Sequence, residues 1–132
     1  MSKDRFKNWK PIEIHEGKLT SWNWMVQGKE NLKLSLKTDI GAFTYINARY
    51  GVIIENFVEI GSHCSIYSHS TIDDKKGEVI LKEGCCIGSH STIMPGITVG
   101  KNSIVGAHSF VNKDVPDNAL AYGVPIKIIH KK

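Results

Sequence analysis

The chain has 132 residues, 41% of them hydrophobic and 23% charged, which is ordinary for one soluble globular domain. A net charge of +4 and a pI near 9.0 are too mild to predict nucleic-acid binding, but they suit a small phosphorylated ligand. No apolar run is long enough to span a membrane, so we expect no membrane insertion.

Residues 1–35 are predicted to form an N-terminal cap on the rest of the chain. The first residues, MSKDRFKNWKPIEI, carry charges without an apolar stretch and so do not form a signal peptide. The cap contains three tryptophans, which we expect to pack mainly in its core: Trp9, Trp22 and Trp24. An odd number of cysteines without a secretion signal predicts reduced thiols and a cytoplasmic location.

Residues 36–115 show a six-residue repeat. Allowing one shift of three residues, every sixth position holds an aliphatic side chain: Ile54, Ile60, Ile66, Ile72, Leu81, Ile87, Ile93, Val99, Val105 and Val111. Before residue 54 the pattern weakens, through Ala48 and Ala42 to Leu36. The spacing predicts short strands separated by turns, three to a coil of 18 residues, in an all-β prism of about four coils. The strands of a β-sandwich would not keep this spacing.

Two segments depart from the repeat. Residues 73–80, DDKKGEVI, contain three residues more than a corner needs and are predicted to form a loop that leaves the prism. Such a loop is either a functional element or a tolerated surface insertion. Residues 116–132 are predicted to leave the repeat at Pro116 and to form a short tail.

Four of the six histidines fall three residues after an aliphatic position: His63, His69, His90 and His108. If one coil plus the loop has 21 residues, His69, His90 and His108 stack in one outward column, and His63 lies at a different corner. Three interpretations stay open. The column is a corner that tolerates histidine, a metal site, or the source of one general base.

The cysteines occupy two kinds of position. Cys64 and Cys85 are predicted to point inward one coil apart, as small buried hydrophobic groups. Cys86 is predicted to point outward, and it would be a nucleophile only if its pKa were lowered, for which the sequence offers no reason.

The segment IGSHSTIMPGITVGKNSIVGAHSFVNKDVPDNALAYGVP resembles the hexapeptide-repeat acyltransferases. The matching motifs are IG at 87–88, PG at 95–96, VGA at 105–107, KDVP at 113–116 and GVP at 123–125. The resemblance implies a left-handed parallel β-helix, and a homotrimer with active sites between subunits. It also implies acetyl-CoA as donor and a histidine base. The short chain is similar to the compact sugar O- or N-acetyltransferases, which implies a small-molecule sugar acceptor. That acceptor would be a nucleotide-linked sugar of surface-polysaccharide synthesis, such as lipopolysaccharide synthesis.

The same resemblance assigns candidate site residues. His69, after an IY strand and before the loop, is the implied base, and His63 is the runner-up. Gly88, Ala107 and Ser109 are implied backbone contacts of the donor, with Lys113 as a partner for a phosphate. Cys86 stands where the family often has tryptophan. No metal is expected.

Two other functions compete with this one. A γ-carbonic-anhydrase-like metalloenzyme shares the fold, but it usually has two histidines five residues apart, a spacing that this sequence lacks. A non-catalytic β-helix is the other alternative. The KDVP and GVP motifs favour the transferase.

Overall fold

Strands of two to four residues, each ended by a turn, account for most of the chain in the structure, a computed structural model that describes residues 3–130. Two 3-10 helices, Lys3–Phe6 and Lys29–Asn31, lie near the N-terminus. Between residues 3 and 130, no helix is long and apolar enough to cross a membrane. The strands are β1 (Met25–Gln27), β2 (Leu32–Leu34), β3 (Asp39–Ile40), β4 (Tyr45–Asn47), β5 (Val52–Ile54), β6 (Glu59–Ile60), β7 (Ser65–Tyr67), β8 (His69–Ser70), β9 (Lys75–Lys76), β10 (Val79–Leu81), β11 (Cys86–Ile87), β12 (Thr92–Ile93), β13 (Thr98–Val99), β14 (Ile104–Val105), β15 (Phe110–Val111), β16 (Ala119–Tyr122) and β17 (Lys127–His130).

The strands form the three sides of a parallel β-solenoid. We name its sides sheet A (β1, β4, β7, β12, β15), sheet B (β2, β5, β10, β13) and sheet C (β3, β6, β11, β14, β16). The last strand, β17, closes sheet C by antiparallel pairing with β16. The corners are named after the sheets they join, and the chain passes them in the order AB, BC, CA. The predicted all-β solenoid is confirmed, with about five turns rather than four.

One aliphatic column per sheet fills the interior. In sheet A the column is fully buried and runs through Val26, Ile46, Ile66, Ile93 and Val111. The corresponding positions of sheet B include Ile54, Leu81 and Val99, which are also fully buried. Burying one such side chain contributes about 1.5–3 kcal/mol to folding, so the columns make a continuous core along the axis.

The six-residue spacing holds at every turn of corners BC and CA, but at corner AB it holds only between Ile93 and Val99. At corner AB, eight residues separate Ile46 from Ile54, and 15 separate Ile66 from Leu81. The predicted insertion of three residues is therefore wrong, because the third coil has nine residues more than the coil that follows. Ile72, expected in the core, is 99% exposed on the excursion. The expected inward slots Ala42 and Leu36 are also wrong, since Leu36 is 62% exposed and the sheets use Leu34 and Ile40.

The predicted segment boundaries differ from the strand positions. Strands β1 and β2 precede the predicted start of the coils at residue 36, and β16 pairs with β14 after the predicted end at residue 115. The excursion begins at β8 and ends before β10, which already belongs to sheet B. Residues 1, 2, 131 and 132 of the predicted cap and tail lie outside the described residues.

The N-terminal cap covers the first coil with aromatic residues. Trp24 is buried in the core, and the Trp9 indole N–H donates to the Thr38 carbonyl at 2.9 Å. Trp22 is 70% exposed, so the expectation of a packed core applies to Trp24 and not to Trp22.

Glycines one residue after the inward slot lie where successive coils approach most closely. A Cβ on Gly61 would be 2.6 Å from the Ser89 nitrogen, and one on Gly88 would be 2.5 Å from the Ala107 nitrogen. Neither glycine has a positive φ. The close spacing of the coils therefore requires glycine at these two positions, and a left-handed turn conformation does not.

Gly61→Ala should destabilise the fold by about 1–3 kcal/mol, because the new methyl meets backbone that cannot move without opening the coil stack. The measurement is chemical denaturation, with the neighbouring Ser62→Ala as the control. An unchanged unfolding midpoint for Gly61→Ala would show that the coils tolerate a wider spacing here.

Candidate active site

His69 lies on a β-hairpin that projects from corner AB. The hairpin pairs β8 with β9 in antiparallel register, His69 opposite Lys76 and Ser70 opposite Lys75. The Gly77 N–H donates to the Ser68 carbonyl at 2.9 Å and returns the chain to the coil. The sequence predicted that His69 lies next to a loop that leaves the prism. The structure confirms this and shows that the loop is a paired β-hairpin.

Two neighbours hold the His69 imidazole. Its Nε2 lies 3.3 Å from Oδ1 of Asp74, at the far end of the same hairpin. The ring of Tyr50 packs against it nearly perpendicularly, with 5.2 Å between centroids. The imidazole is only 16% exposed. A largely covered ring with a carboxylate partner in hydrogen-bond reach is suited to act as a general base.

A cavity of about 570 Å³ opens beside this imidazole. Its wall combines the outer surface of sheet A with the start of the hairpin, and the lining residues are Gln27, Tyr45, Asn47, Arg49, Tyr67, His69, Ser70, Thr71, Ile72, Asp73 and Met94. Aromatic rings beside hydrogen-bonding side chains are the surface that small polar ligands with apolar faces use.

A hydrogen-bond network fixes the polar side of the cavity. The Tyr45 hydroxyl bonds to the Gln27 side-chain oxygen, and the Ser68 hydroxyl lies 3.3 Å from Oδ1 of Asn47. The same Asn47 oxygen accepts the Arg49 N–H at 3.2 Å. Ser68 and Asn47 are buried, so these groups are oriented before any ligand arrives.

A column of histidines exists, but its members differ from those predicted. The imidazoles of His63 and His90 stack with centroids 4.8 Å apart, and so do those of His90 and His108. The prediction that His69 joins this column and that His63 lies elsewhere is wrong. Because the coil with the hairpin has 27 residues and not 21, the register passes from His63 to His90.

Backbone conformation explains the histidines at corner CA. His63, His90 and His108 all have φ between 57° and 61°, the left-handed region in which histidine, asparagine and aspartate are enriched. Their rings are nearly parallel, and ring nitrogen lone pairs lie in the ring plane, so the three do not converge on one ion. Within residues 3–130 no group of three acidic, histidine or cysteine side chains is placed to hold a metal ion.

The predicted donor contacts fall at two corners. Gly88, Ala107 and Ser109 lie at or just after corner CA, beside the histidine column, while Lys113 is exposed and follows β15 at corner AB, the corner of His69. Six residues separate His63 from His69 across sheet A, a span of about 20 Å in extended chain. One chain therefore does not bring all the predicted site residues together.

The polar groups of Ser109 are already used inside the coil. Its hydroxyl donates to the Gly106 carbonyl at 2.7 Å and accepts the Gly123 N–H, and its own N–H donates to the Ser91 hydroxyl. Its carbonyl accepts the Thr92 N–H. Ala107, by contrast, is exposed and open to a ligand.

Burial raises the pKa of all three cysteine thiols and so disfavours the thiolate. Cys64 and Cys85 are buried as predicted, but they occupy different sheets and do not stack, because Cys64 is level with Ser91 and Cys85 with Val58. Burial, followed by the nearby Glu59 carboxylate, raises the pKa of Cys86 to about 11. Cys86 therefore lacks the lowered pKa that a nucleophilic thiol would need.

A second cavity, of about 820 Å³, lies between the cap and the first coil. It is larger than the His69 cavity, but its lining includes none of the predicted site residues. We centre the site on the smaller cavity because that one combines an oriented imidazole with a fixed polar network.

Two residues that line the cavity, Asn47 and Arg49, were not predicted from the sequence. Asn47 and Arg49 come one coil earlier, where the repeat weakens and the inward slots were misplaced. The signal was present in the sequence: the eight-residue gap between Ile46 and Ile54 marks the same corner as the hairpin.

Comparisons with known proteins bear on the family and the fold of this chain. The family described as "Bacterial transferase hexapeptide (six repeats)" matches residues 78–113. Galactoside O-acetyltransferase of Escherichia coli (strain K12) is 34% identical over 107 residues, covering 70% of this chain and 53% of its own. The resemblance to hexapeptide-repeat acyltransferases is thereby confirmed.

Two solved structures share the fold. A hexapeptide-repeat-containing acetyltransferase from Vibrio cholerae, complexed with acetyl coenzyme A, has a TM-score of 0.75 and 24% identity, covering 81% of this chain and 63% of its own. AntD, an N-acyltransferase from Bacillus cereus in complex with dTDP and 3-hydroxybutyryl-CoA, has a TM-score of 0.66 and 26% identity, covering 83% and 70%. The fold is the left-handed parallel β-helix of these acetyltransferases. The chain spans about half the length of the galactoside O-acetyltransferases it matches.

Glu59→Gln should speed alkylation of Cys86. The Glu59 carboxylate lies 3.6 Å from the Cys86 sulfur and disfavours the thiolate, whereas the Arg5 cation beside it favours the thiolate. Below the pKa, each pKa unit regained raises the thiolate fraction about tenfold. The measurement is the rate of iodoacetamide labelling at pH 8, located by peptide mass spectrometry. Exposed Glu83→Gln is the control, and equal rates in the two variants would remove Glu59 as a cause.

Proposed function

We propose that this chain is an acyltransferase that moves an acetyl group from acetyl-CoA to a hydroxyl or amine of a sugar. The observation that carries the proposal is the His69 imidazole, held by Asp74 and Tyr50 at the edge of a polar and aromatic cavity. The similarity to an E. coli galactoside O-acetyltransferase, and the 3-hydroxybutyryl-CoA bound in the AntD structure, support the reaction class.

In the proposed reaction His69 acts as general base. It takes the proton of the acceptor hydroxyl or amine as that atom attacks the thioester carbon of acetyl-CoA. The carbon–sulfur bond then breaks, and the imidazolium returns the proton to the sulfur as CoA thiol leaves. Asp74 stabilises the imidazolium, because its carboxylate is 3.3 Å from Nε2.

The cavity suits a sugar as acceptor. Tyr45 and Tyr67 stand with ring centroids 5.8 Å apart and offer flat apolar surface, while Gln27 and Asn47 offer hydrogen-bonding groups. We propose a nucleotide-linked sugar of surface-polysaccharide synthesis, such as lipopolysaccharide synthesis. The dTDP in the AntD complex is support for a nucleotide-linked acceptor in a related fold.

The donor is proposed to contact corner CA at Gly88 and Ala107, and Lys113 through a phosphate. Ser109, whose polar groups already bond within the coil, would line this corner by packing alone. Lysine is a mobile point charge and suits a phosphate without fixed geometry. Because these residues and His69 occupy two corners, we propose a homotrimer in which corner CA of one copy faces corner AB of the next. The proposed location is the cytoplasm, which keeps thiols reduced, and no disulfide links the cysteines in the described part of the chain.

His69→Ala should lower turnover by about 10²–10⁴, the range that a positioned base supplies, with little change in acetyl-CoA affinity. Thiol release during acetyl transfer measures the first quantity and calorimetry the second. His90→Ala and His108→Ala, in the column at corner CA, are controls with smaller effects. If His63→Ala abolished turnover and His69→Ala did not, the base would be His63.

Lys113→Ala should raise the Michaelis constant for acetyl-CoA, because it removes the cation proposed to contact a phosphate of the donor.

Mixed oligomers should test whether two copies share each site. His69→Ala removes the base at corner AB, and Ala107→Glu places a charge at exposed corner CA, so each variant alone should be inactive. Co-expressed in equal amounts, the two should regain about a quarter of the wild-type rate, because one pairing in four joins two intact corners. Light scattering should give a trimer. An inactive mixture, or a fully active monomer, would contradict the shared site.

A further inference from the structure

The cavity beside His69 contains an arginine that has no partner in the described part of the chain. Arg49 lines the cavity, and its side chain makes no hydrogen bond or ion pair with residues 3–130. The other arginine, Arg5, is paired with both Asp39 and Glu59. The guanidinium of Arg49 is therefore available to a ligand.

The other charges around the cavity cancel one another. On the hairpin, Lys75 pairs with Asp73 and Lys76 with Asp74, each at 3.7 Å between nitrogen and oxygen. Residues 69–76 thus carry two acidic and two basic side chains, besides His69. Arg49 adds one positive charge that nothing on the hairpin balances, which makes the cavity attractive to an anion.

The backbone of Arg49 is fixed from both sides. Its N–H donates to the Asn47 side chain at 3.2 Å, and its carbonyl accepts from Asn31 at 2.9 Å. A Cβ on Gly28 would lie 2.7 Å from the Arg49 nitrogen, so the coil above is packed directly against it. The arginine therefore projects from a rigid base, which lowers the cost of ordering it on a ligand.

Glu16, an acidic residue of the N-terminal cap, forms no ion pair with Arg49. The two carboxylate oxygens of Glu16 accept the backbone N–H groups of Gly28 and Lys29 at 2.7 and 2.9 Å. These two bonds are the main reason that the pKa of Glu16 is lowered, and the charge of Arg49 contributes less. Glu16 is thus committed to the turn and does not neutralise the cavity.

We propose that Arg49 binds an oxyanion, a phosphate or a carboxylate, carried by the acceptor sugar, and so selects anionic acceptors at the His69 cavity. This inference rests on the proposed function and deepens it by naming the residue that recognises the charge of the acceptor. A planar guanidinium makes two parallel hydrogen bonds to such a group. The anion would anchor one end of the acceptor and leave the reacting hydroxyl or amine near the imidazole.

Binding without acetyl-CoA tests the inference independently of activity. The probes are glucose, glucose 1-phosphate, glucose 6-phosphate and glucuronic acid, titrated into the full chain and followed by amide NMR shifts. We expect at least one anionic probe to bind about tenfold or more tightly than glucose, with shifts at Arg49 and His69. Adenosine 3′,5′-bisphosphate, which has the phosphate chemistry of the CoA head group, is titrated separately to test whether Arg49 binds the donor instead of the acceptor.

Arg49→Gln should remove that preference and leave glucose binding unchanged. Arg49→Lys should restore it only in part, because lysine keeps the charge but not the paired geometry. Lys33→Gln, which removes an exposed cation outside both cavities, is the matched control for net charge.

Three results would overturn the inference. They are equal binding of glucose and every anionic probe, equal losses in Arg49→Gln and Lys33→Gln, or a loss in Arg49→Gln confined to adenosine 3′,5′-bisphosphate. An enzyme that binds the anionic probe through Arg49 but transfers no acetyl group would refute the proposed function and leave the anion site standing.

Discussion

The close vertical stacking of coils is the constraint on which the rest of this structure depends. Parallel pairing holds each strand against its counterpart one coil away, and imidazoles on successive coils lie 4.8 Å apart. At that spacing a Cβ on Gly61 or Gly88 would overlap the next coil. The aliphatic columns, the glycines and the histidine stack all follow from one repeat distance.

Regular stacking also determines where irregularity is tolerated. Corners BC and CA keep six residues between inward side chains. Their turns contain residues in the left-handed backbone conformation, such as His63 and Asn102. Corner AB alone varies in length, because its extra residues leave the prism without disturbing the columns. Variation confined to one corner builds a cavity there, with a hairpin on one side and the outer surface of sheet A on the other.

Sheet A has histidines at both of its corners, and the two arrangements have different physical origins. The column at corner CA is repeated because its backbone angle favours histidine, and its rings are exposed. His69 occurs once, is largely covered, and contacts a carboxylate and a tyrosine ring. A single partnered imidazole beside a cavity fits proton transfer better than an exposed stack does, and this contrast guides the proposal for His69.

The sequence by itself determined the solenoid, because the inward position of each strand of the coils holds an aliphatic side chain and these positions recur every six residues wherever the corners are short. It also determined that His69 lies at a break in that repeat. The tertiary structure alone decided the register across the break, since the number of residues in an excursion does not affect which strands pair. Ile72 was therefore placed in the core wrongly, and the column was assigned to His69 in place of His63. It likewise decided which residues share a cavity with His69, because Asn47 and Arg49 reach that cavity only after strands distant in sequence have stacked side by side.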